Sequence, residues 1–192
     1  MTVRVAVLIS GRGSNMRALI EASRAAVLPY EVVLVIASRE DAGGLAVARE
    51  LGVEAVALPS KAHAEREAHE RAVDAELKAR GIEVVALAGW MRILTGWFVR
   101  AWEGRLVNIH PSLLPAYPGL DTHARALAAG DAAAGCTVHV VSEGMDEGPV
   151  LAQAEVPVLP GDTAETLAER VLAVEHRLYP EALAAFCAKL AR

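Results

Sequence analysis

Val3 to Ile9 is a β-branched and aliphatic run that stops at Ser10-Gly11, as expected for a central parallel strand covered on both faces. Asn15 to Val27 then reads as a helix, with Met16, Leu19, Ile20 and Val27 near a 3.6-residue period. The pattern repeats. Val32 to Ala37 is strand-like, Ala42 to Leu51 helical, and Gly52 begins the step into the short apolar run Ala55 to Leu58. Alanines and charges from Ala62 to Arg80 predict another helix, ended by Gly81, and Val84 to Ala88 predicts the next strand.

Arg105 to Ile109 supplies a further strand, cut off by Pro111, which cannot donate to a sheet ladder. A loop with Pro111, Pro115 and Pro118 follows, then a short helix from Thr122 to Ala129 and a strand from Thr137 to Val141. Val150 to Val156 is placed to pair with that strand antiparallel across the Gly144 to Gly148 turn region. From Thr163 onward the chain is helical, and Pro180 marks a kink or a boundary. This alternation predicts one α/β domain over residues 1–192, with a Rossmann-like, mostly parallel sheet and helices on both faces. Such sheets bind ligands at the carboxyl ends of their strands.

Composition narrows the function. For 192 residues, surface scaling predicts roughly 8,800 Å² exposed against about 29,000 Å² unfolded, enough burial for one core. At 54% hydrophobic and 22% charged the body lies outside the disordered regime. A net charge of −5 opposes broad binding to nucleic-acid backbones, which needs clustered positive charge. The N-terminal apolar run is far shorter than the ~20 residues of a membrane span and lacks a cleavage pattern. Two well-separated cysteines, Cys136 and Cys187, suit neither a disulfide framework nor a four-ligand zinc site. A reducing compartment, the cytoplasm, is expected.

Two places carry candidate chemistry. Ser10-Gly11-Arg12-Gly13-Ser14-Asn15 joins the first strand to the first helix, so its backbone N–H groups and the helix dipole point at any anion held there. Met16 stands where a dinucleotide fingerprint needs a third small residue, and the P-loop lysine is missing; such a turn is equally a common tight connection. Arg39 after the second strand keeps an NADP site as a lesser alternative. In Asn108-Ile109-His110, strand alternation puts Asn108 and His110 on one face. An amide and an imidazole aimed together suit a carbonyl under attack, since both can donate to the developing oxyanion. A carboxylate near His110 would favour its charged form. Asp146 is the candidate, only slightly ahead of Glu143 and Glu147 in the same glycine-bracketed turn. The plain alternative is that Asn108 and His110 merely satisfy backbone groups at a strand end. His139 reads as a hydrogen-bonded core residue, and His63 and His69, six apart on the predicted helix, as a poor metal pair.

Taken together, Gly11 to Asn15 (GRGSN), Ala88 to Leu94 (AGWMRIL), Asn108 to Gly119 (NIHPSLLPAYPG), Gly135 to Val140 (GCTVHV) and Asp146 to Pro149 (DEGP) stand in the order and spacing of the phosphoribosylglycinamide formyltransferase family, which the chain resembles over essentially its whole length. The resemblance implies the formyltransferase fold and transfer of a formyl group from 10-formyltetrahydrofolate to the amine of glycinamide ribonucleotide in purine synthesis, without a metal. It implies that Asn108, His110 and Asp146 are the catalytic trio, Asp146 supporting the charged imidazole. It implies that Gly13, Ser14 and Asn15 hold the substrate phosphate and Glu175 the ribose hydroxyls. Arg66, Met91, Arg92, Ile93 and Leu94, with Asn108, match the folate site. By their residues alone, Glu175 and Arg66 would pass as solvated helix faces. The Leu114-Pro115 bond looks like the family's cis proline. Ala116 stands where many relatives carry lysine or another polar residue, and Asp121 replaces a histidine found in some members. The expected partners are these two small molecules, with neither nucleic acid nor membrane, for a monomer or homodimer. A formyltetrahydrofolate deformylase is the nearest rival, but that family carries a regulatory domain ahead of the catalytic one, whereas the first strand here starts at Val3. Methionyl-tRNA formyltransferase is opposed by length and charge, and a noncatalytic nucleotide-binding module by the trio.

Overall fold

The computed structural model describes residues 2–25 and 27–190. Among them, seven strands form one sheet in the order β3-β2-β1-β4-β5-β6-β7. The strands are β1 (Val3–Ile9), β2 (Tyr30–Ala37), β3 (Glu54–Ala57), β4 (Val84–Leu87), β5 (Leu106–His110), β6 (Ala133–Val140) and β7 (Val150–Pro157). The first five are mutually parallel. The β6 strand turns antiparallel to β5, with Asn108 opposite His139 and His110 opposite Thr137, and β7 is antiparallel to β6.

The continuous apolar runs are buried on both faces because helices cover both. One layer packs Val5, Val7, Ile9, Val35, Val107 and Val138 under α1 (Ser14–Ala25), α2 (Gly44–Glu50) and α6 (Ala164–Leu190). The other packs Leu8, Ile36, Val85 and Leu106 under α3 (Arg66–Ala79) and α4 (Gly96–Ala101). A last helix, α5 (Thr122–Ala129), follows the proline-rich loop, in which the Leu114-Pro115 peptide is cis.

Several expectations need correction. The first helix ends at Ala25, and Val27 is fully exposed, so it contributes nothing to the apolar stripe; Ala26 lies outside the described residues. The third helix begins at Arg66, after a short 3₁₀ turn over Ser60–Ala62. His63 is therefore off the helix, and its ring lies 5.3 Å from that of His69. Pro180 sits inside one continuous α6, where it forgoes a single ladder bond while Val171, Tyr179, Leu183 and Cys187 stay buried on either side. The Tyr179 hydroxyl donates to the Leu87 and Val107 carbonyls at 3.0 and 3.1 Å, tying α6 across β4 and β5.

Candidate functional site

At the carboxyl end of β5, Asn108 is half-buried and His110 buried, on the same face of the strand. The loop after β6 starts beside the other end of β5, where Val141 N–H donates to the Leu106 carbonyl at 2.8 Å, and folds back along that face. It brings Asp146 Oδ2 to 3.4 Å from His110 Nδ1. Asp146 holds a left-handed backbone, φ 55°, which aspartate tolerates better than most residues. Its Oδ2 also accepts from Gly119 N–H at 2.9 Å. The rival acids point elsewhere: Glu143 pairs with Arg100 at 2.8 Å and Glu147 is exposed.

On its other side, His110 Nε2 lies 2.9 Å from the Tyr117 carbonyl. A carbonyl only accepts, so Nε2 carries a proton; a carboxylate also only accepts. The doubly protonated ring is thus the form that interacts favourably with both neighbours.

His139, read from sequence as a core residue, belongs to this cluster. It is 2% exposed, and burial holds its imidazole below the ordinary value, against a backbone hydrogen bond to Val140 and the charge of Asp146. In the neutral ring Nδ1–H donates to the Val140 carbonyl at 3.2 Å, leaving Nε2 to accept from Asn108 Nδ2 at 3.2 Å. That bond orients the amide: one N–H is given to His139, while the second N–H and the oxygen stay available. The 3.6 Å from His139 Nε2 to Asp146 Oδ1 is too long for a hydrogen bond. Alternation along Thr137-Val138-His139 puts Thr137 and His139 on one face, but only the antiparallel pairing with β5, which hydropathy does not mark, turns that face the same way as Asn108 and His110.

The first loop is a tight turn into α1. Gly13 has φ 73°, a torsion that favours glycine, and a Cβ there would sit tightly against Gly44 Cα and Met16 Cε at 3.1 Å. Helix α1 starts at Ser14 with no acid in its first turn, leaving its orphan N–H groups free of a competing negative charge. Asn15 is buried and donates Nδ2–H to Glu175 Oε2 at 2.7 Å. Glu175 is 6% exposed, not on a solvated face, and burial raises its carboxyl above the ordinary range, opposed by the Asn15 bond and by His110. The first turn of α1 and helix α6 are thereby joined through Asn15 and Glu175.

Of the remaining expected residues, 91–94 follow the β4 tip. Met91 and Ile93 are exposed at 69% and 64%. Met91 N–H donates to Ser10 Oγ at 2.9 Å, and Ser10 Oγ meets Ser38 Oγ at 2.7 Å, which pins this segment to β1 and β2. Arg92 donates to Ser60 Oγ at 2.8 Å; Leu94 is half-buried, and Arg66 is exposed at the start of α3. Arg39, the residue behind the NADP alternative, is paired through two nitrogens with Asp41. Ala116 and Asp121 are both exposed on the loop between β5 and α5.

A family model described as "Formyl transferase" matches residues 3–183. The phosphoribosylglycinamide formyltransferase of Escherichia coli (strain K12) is 45% identical over 178 residues, covering 93% of this chain and 84% of that protein. The trifunctional purine biosynthetic protein adenosine-3 of Drosophila melanogaster is 48% identical over 183 residues; this chain spans 14% of its length. A crystal structure of phosphoribosylglycinamide formyltransferase from Brucella melitensis superposes with a TM-score of 0.94 at 55% identity, covering 98% of this chain and 97% of that one. With its motifs, its sheet order and its match along nearly the whole chain, this protein belongs to the phosphoribosylglycinamide formyltransferases of the formyl transferase family.

Proposed function

We propose that residues 1–192 act as one catalytic domain that transfers the formyl group of 10-formyltetrahydrofolate to the amine of glycinamide ribonucleotide. The observation that carries the reading is the convergence of Asn108, His110 and Asp146 at the carboxyl end of β5, on the same side of the parallel sheet as the glycine loop at the carboxyl end of β1. Gly13, Ser14 and Asn15 would receive the phosphate and Glu175 would accept from ribose hydroxyls. The exposed Met91 and Ile93, with Leu94, Arg92 and Arg66, would receive the folate. The cytoplasm is the proposed compartment, and the chain acts as a monomer or homodimer; no helix among the described residues is long and apolar enough to cross a membrane.

In this reading the neutral amine attacks the formyl carbon and the carbonyl oxygen takes the displaced electron pair. The free N–H of Asn108 and the positive charge of His110 stabilise that oxyanion. Collapse restores the carbonyl and breaks the bond to the folate N10, while the proton shed by the incoming nitrogen passes to N10 through water held by Asp146. Products are tetrahydrofolate and the formylated ribonucleotide. The test is a turnover assay with and without the amine. Formylated product is expected with both substrates and little or no formate from the folate alone; rapid formate release without the amine would move the reading to a deformylase.

A further inference from the structure

The His110 ring is held on its Nε2 side by the Tyr117 carbonyl, and that carbonyl belongs to a tyrosine with φ 53°, a conformation a bulky residue adopts only when its surroundings impose it. The bonds imposing it lead away from the site to the edge of the sheet. Ser112 Oγ donates to the Ala116 carbonyl at 2.6 Å and lies 3.3 Å from that of Tyr117. The Ser112 carbonyl accepts from Thr137 Oγ1 at 2.7 Å, and Thr137 is fully buried. A hydroxyl has one proton and two lone pairs. Thr137 spends its proton on Ser112 and accepts from Leu114 N–H at 3.0 Å and from Gln153 Nε2 at 2.9 Å. Gln153 gives its second N–H to the Leu114 carbonyl at 2.8 Å.

We propose that Gln153, on the edge strand β7, is a positioning residue for His110, acting through Thr137 and Ser112 on the Tyr117 carbonyl. Both N–H groups of its amide are used, and with them the Thr137 hydroxyl has a single orientation, the one that holds Ser112. Without them the hydroxyl loses one of its two donors and the Leu114 carbonyl loses its side-chain donor. The Pro111–Tyr117 segment then loosens, and with it the acceptor that fixes the imidazole. The inference rests on the role of His110 proposed above.

The test compares wild type, Gln153→Met, Ser112→Ala and the double variant in steady-state turnover with both substrates over a range of pH, with thermal unfolding measured alongside. Gln153→Met keeps length and removes both donors; Gln153→Glu, which sets an acceptor against the Leu114 carbonyl, is the second variant should the first not fold. The expected result is a roughly tenfold or greater fall in kcat, a KM for the ribonucleotide changed by less than about twofold, a displaced pH profile of kcat, and a double variant losing less than the product of the single losses. An unchanged kcat, losses that multiply, or a fall in kcat that follows lost folded protein with an unmoved pH profile overturns the inference. Wild type that makes no formylated product, or His110→Ala with full turnover, instead overturns the reading of the site itself; an active, His110-dependent enzyme indifferent to Gln153→Met removes this inference alone.

Discussion

His110 lies between two oxygen acceptors, the Tyr117 carbonyl at 2.9 Å and the Asp146 carboxylate at 3.4 Å, and that geometry decides what Asp146→Asn must do. Asparagine fits the left-handed backbone at this position as well as aspartate does, and its oxygen can still accept from Gly119. What disappears is the negative charge 3.4 Å from the imidazole Nδ1. Turnover is expected to fall about 100-fold or more while substrate KM values change little; steady-state kinetics that leave kcat unchanged would contradict the role given to Asp146. At this scale the sequence was informative where periodicity sets direction. Alternation alone put Asn108 and His110 on one face. It had no power to separate Asp146 from Glu143 and Glu147, because in an irregular turn the aim of each side chain follows from individual torsions and partners, here φ 55° at Asp146 and the Arg100 ion pair at Glu143. Glu175 was misjudged by its residues for a related reason: a helix carboxylate normally faces water, and only the Asn15 bond from another helix explains its burial.

Among the elements, the β6-loop-β7 unit departs most from the parallel pattern and also delivers the acid. Its geometry depends on Gly148, where a Cβ would stand 1.7 Å from the Val140 carbonyl oxygen and 2.8 Å from its carbon. Backbone cannot swing aside as a side chain can, so Gly148→Ala must displace the loop that carries Asp146. The expected cost is about 1–3 kcal/mol of stability together with a marked loss of kcat, read by urea unfolding and turnover. A variant with wild-type kcat would show that the loop position is not needed. The parallel strands were legible because burial on both faces leaves a continuous apolar run. The reversal at β6 was not, since a strand's direction leaves no mark in its hydropathy; it follows from pairing, Asn108 with His139 and His110 with Thr137. Helix α4, Gly96–Ala101, is six residues long, too short to show a helical period, and it escaped notice although it buries Phe98 and Val99.

For the molecule as a whole, the same burial that builds the site sets its response to acid. His69, His123, His139 and His176 all have imidazoles lowered from the ordinary value, burial being the first cause in each. An unfolded chain protonates these rings as pH falls through about 6.5, while the folded chain takes up those protons only at lower pH. Between the two values the unfolded state binds more protons, so stability rises with pH; it is present above the unfolded value and drains away as pH falls toward the folded ones. Glu175 works in the opposite sense, because its raised carboxyl keeps a proton in the folded state that the unfolded state has released, which lowers stability as pH rises above about 4.5. Four rings act in one direction and one carboxyl in the other, and the prediction is that the rings set the net slope. The thermal midpoint should therefore drop by several degrees from about pH 7 to about pH 5.5, given that 1 kcal/mol moves it about 2–4 °C in a chain of this size. His176→Gln, outside the site, should flatten the slope, and Glu175→Gln should steepen it. A midpoint that is level or rises on acidification in wild type and Glu175→Gln alike would mean that these rings are not held neutral, and the assignment of His139 as the neutral acceptor that orients Asn108 would fall with it.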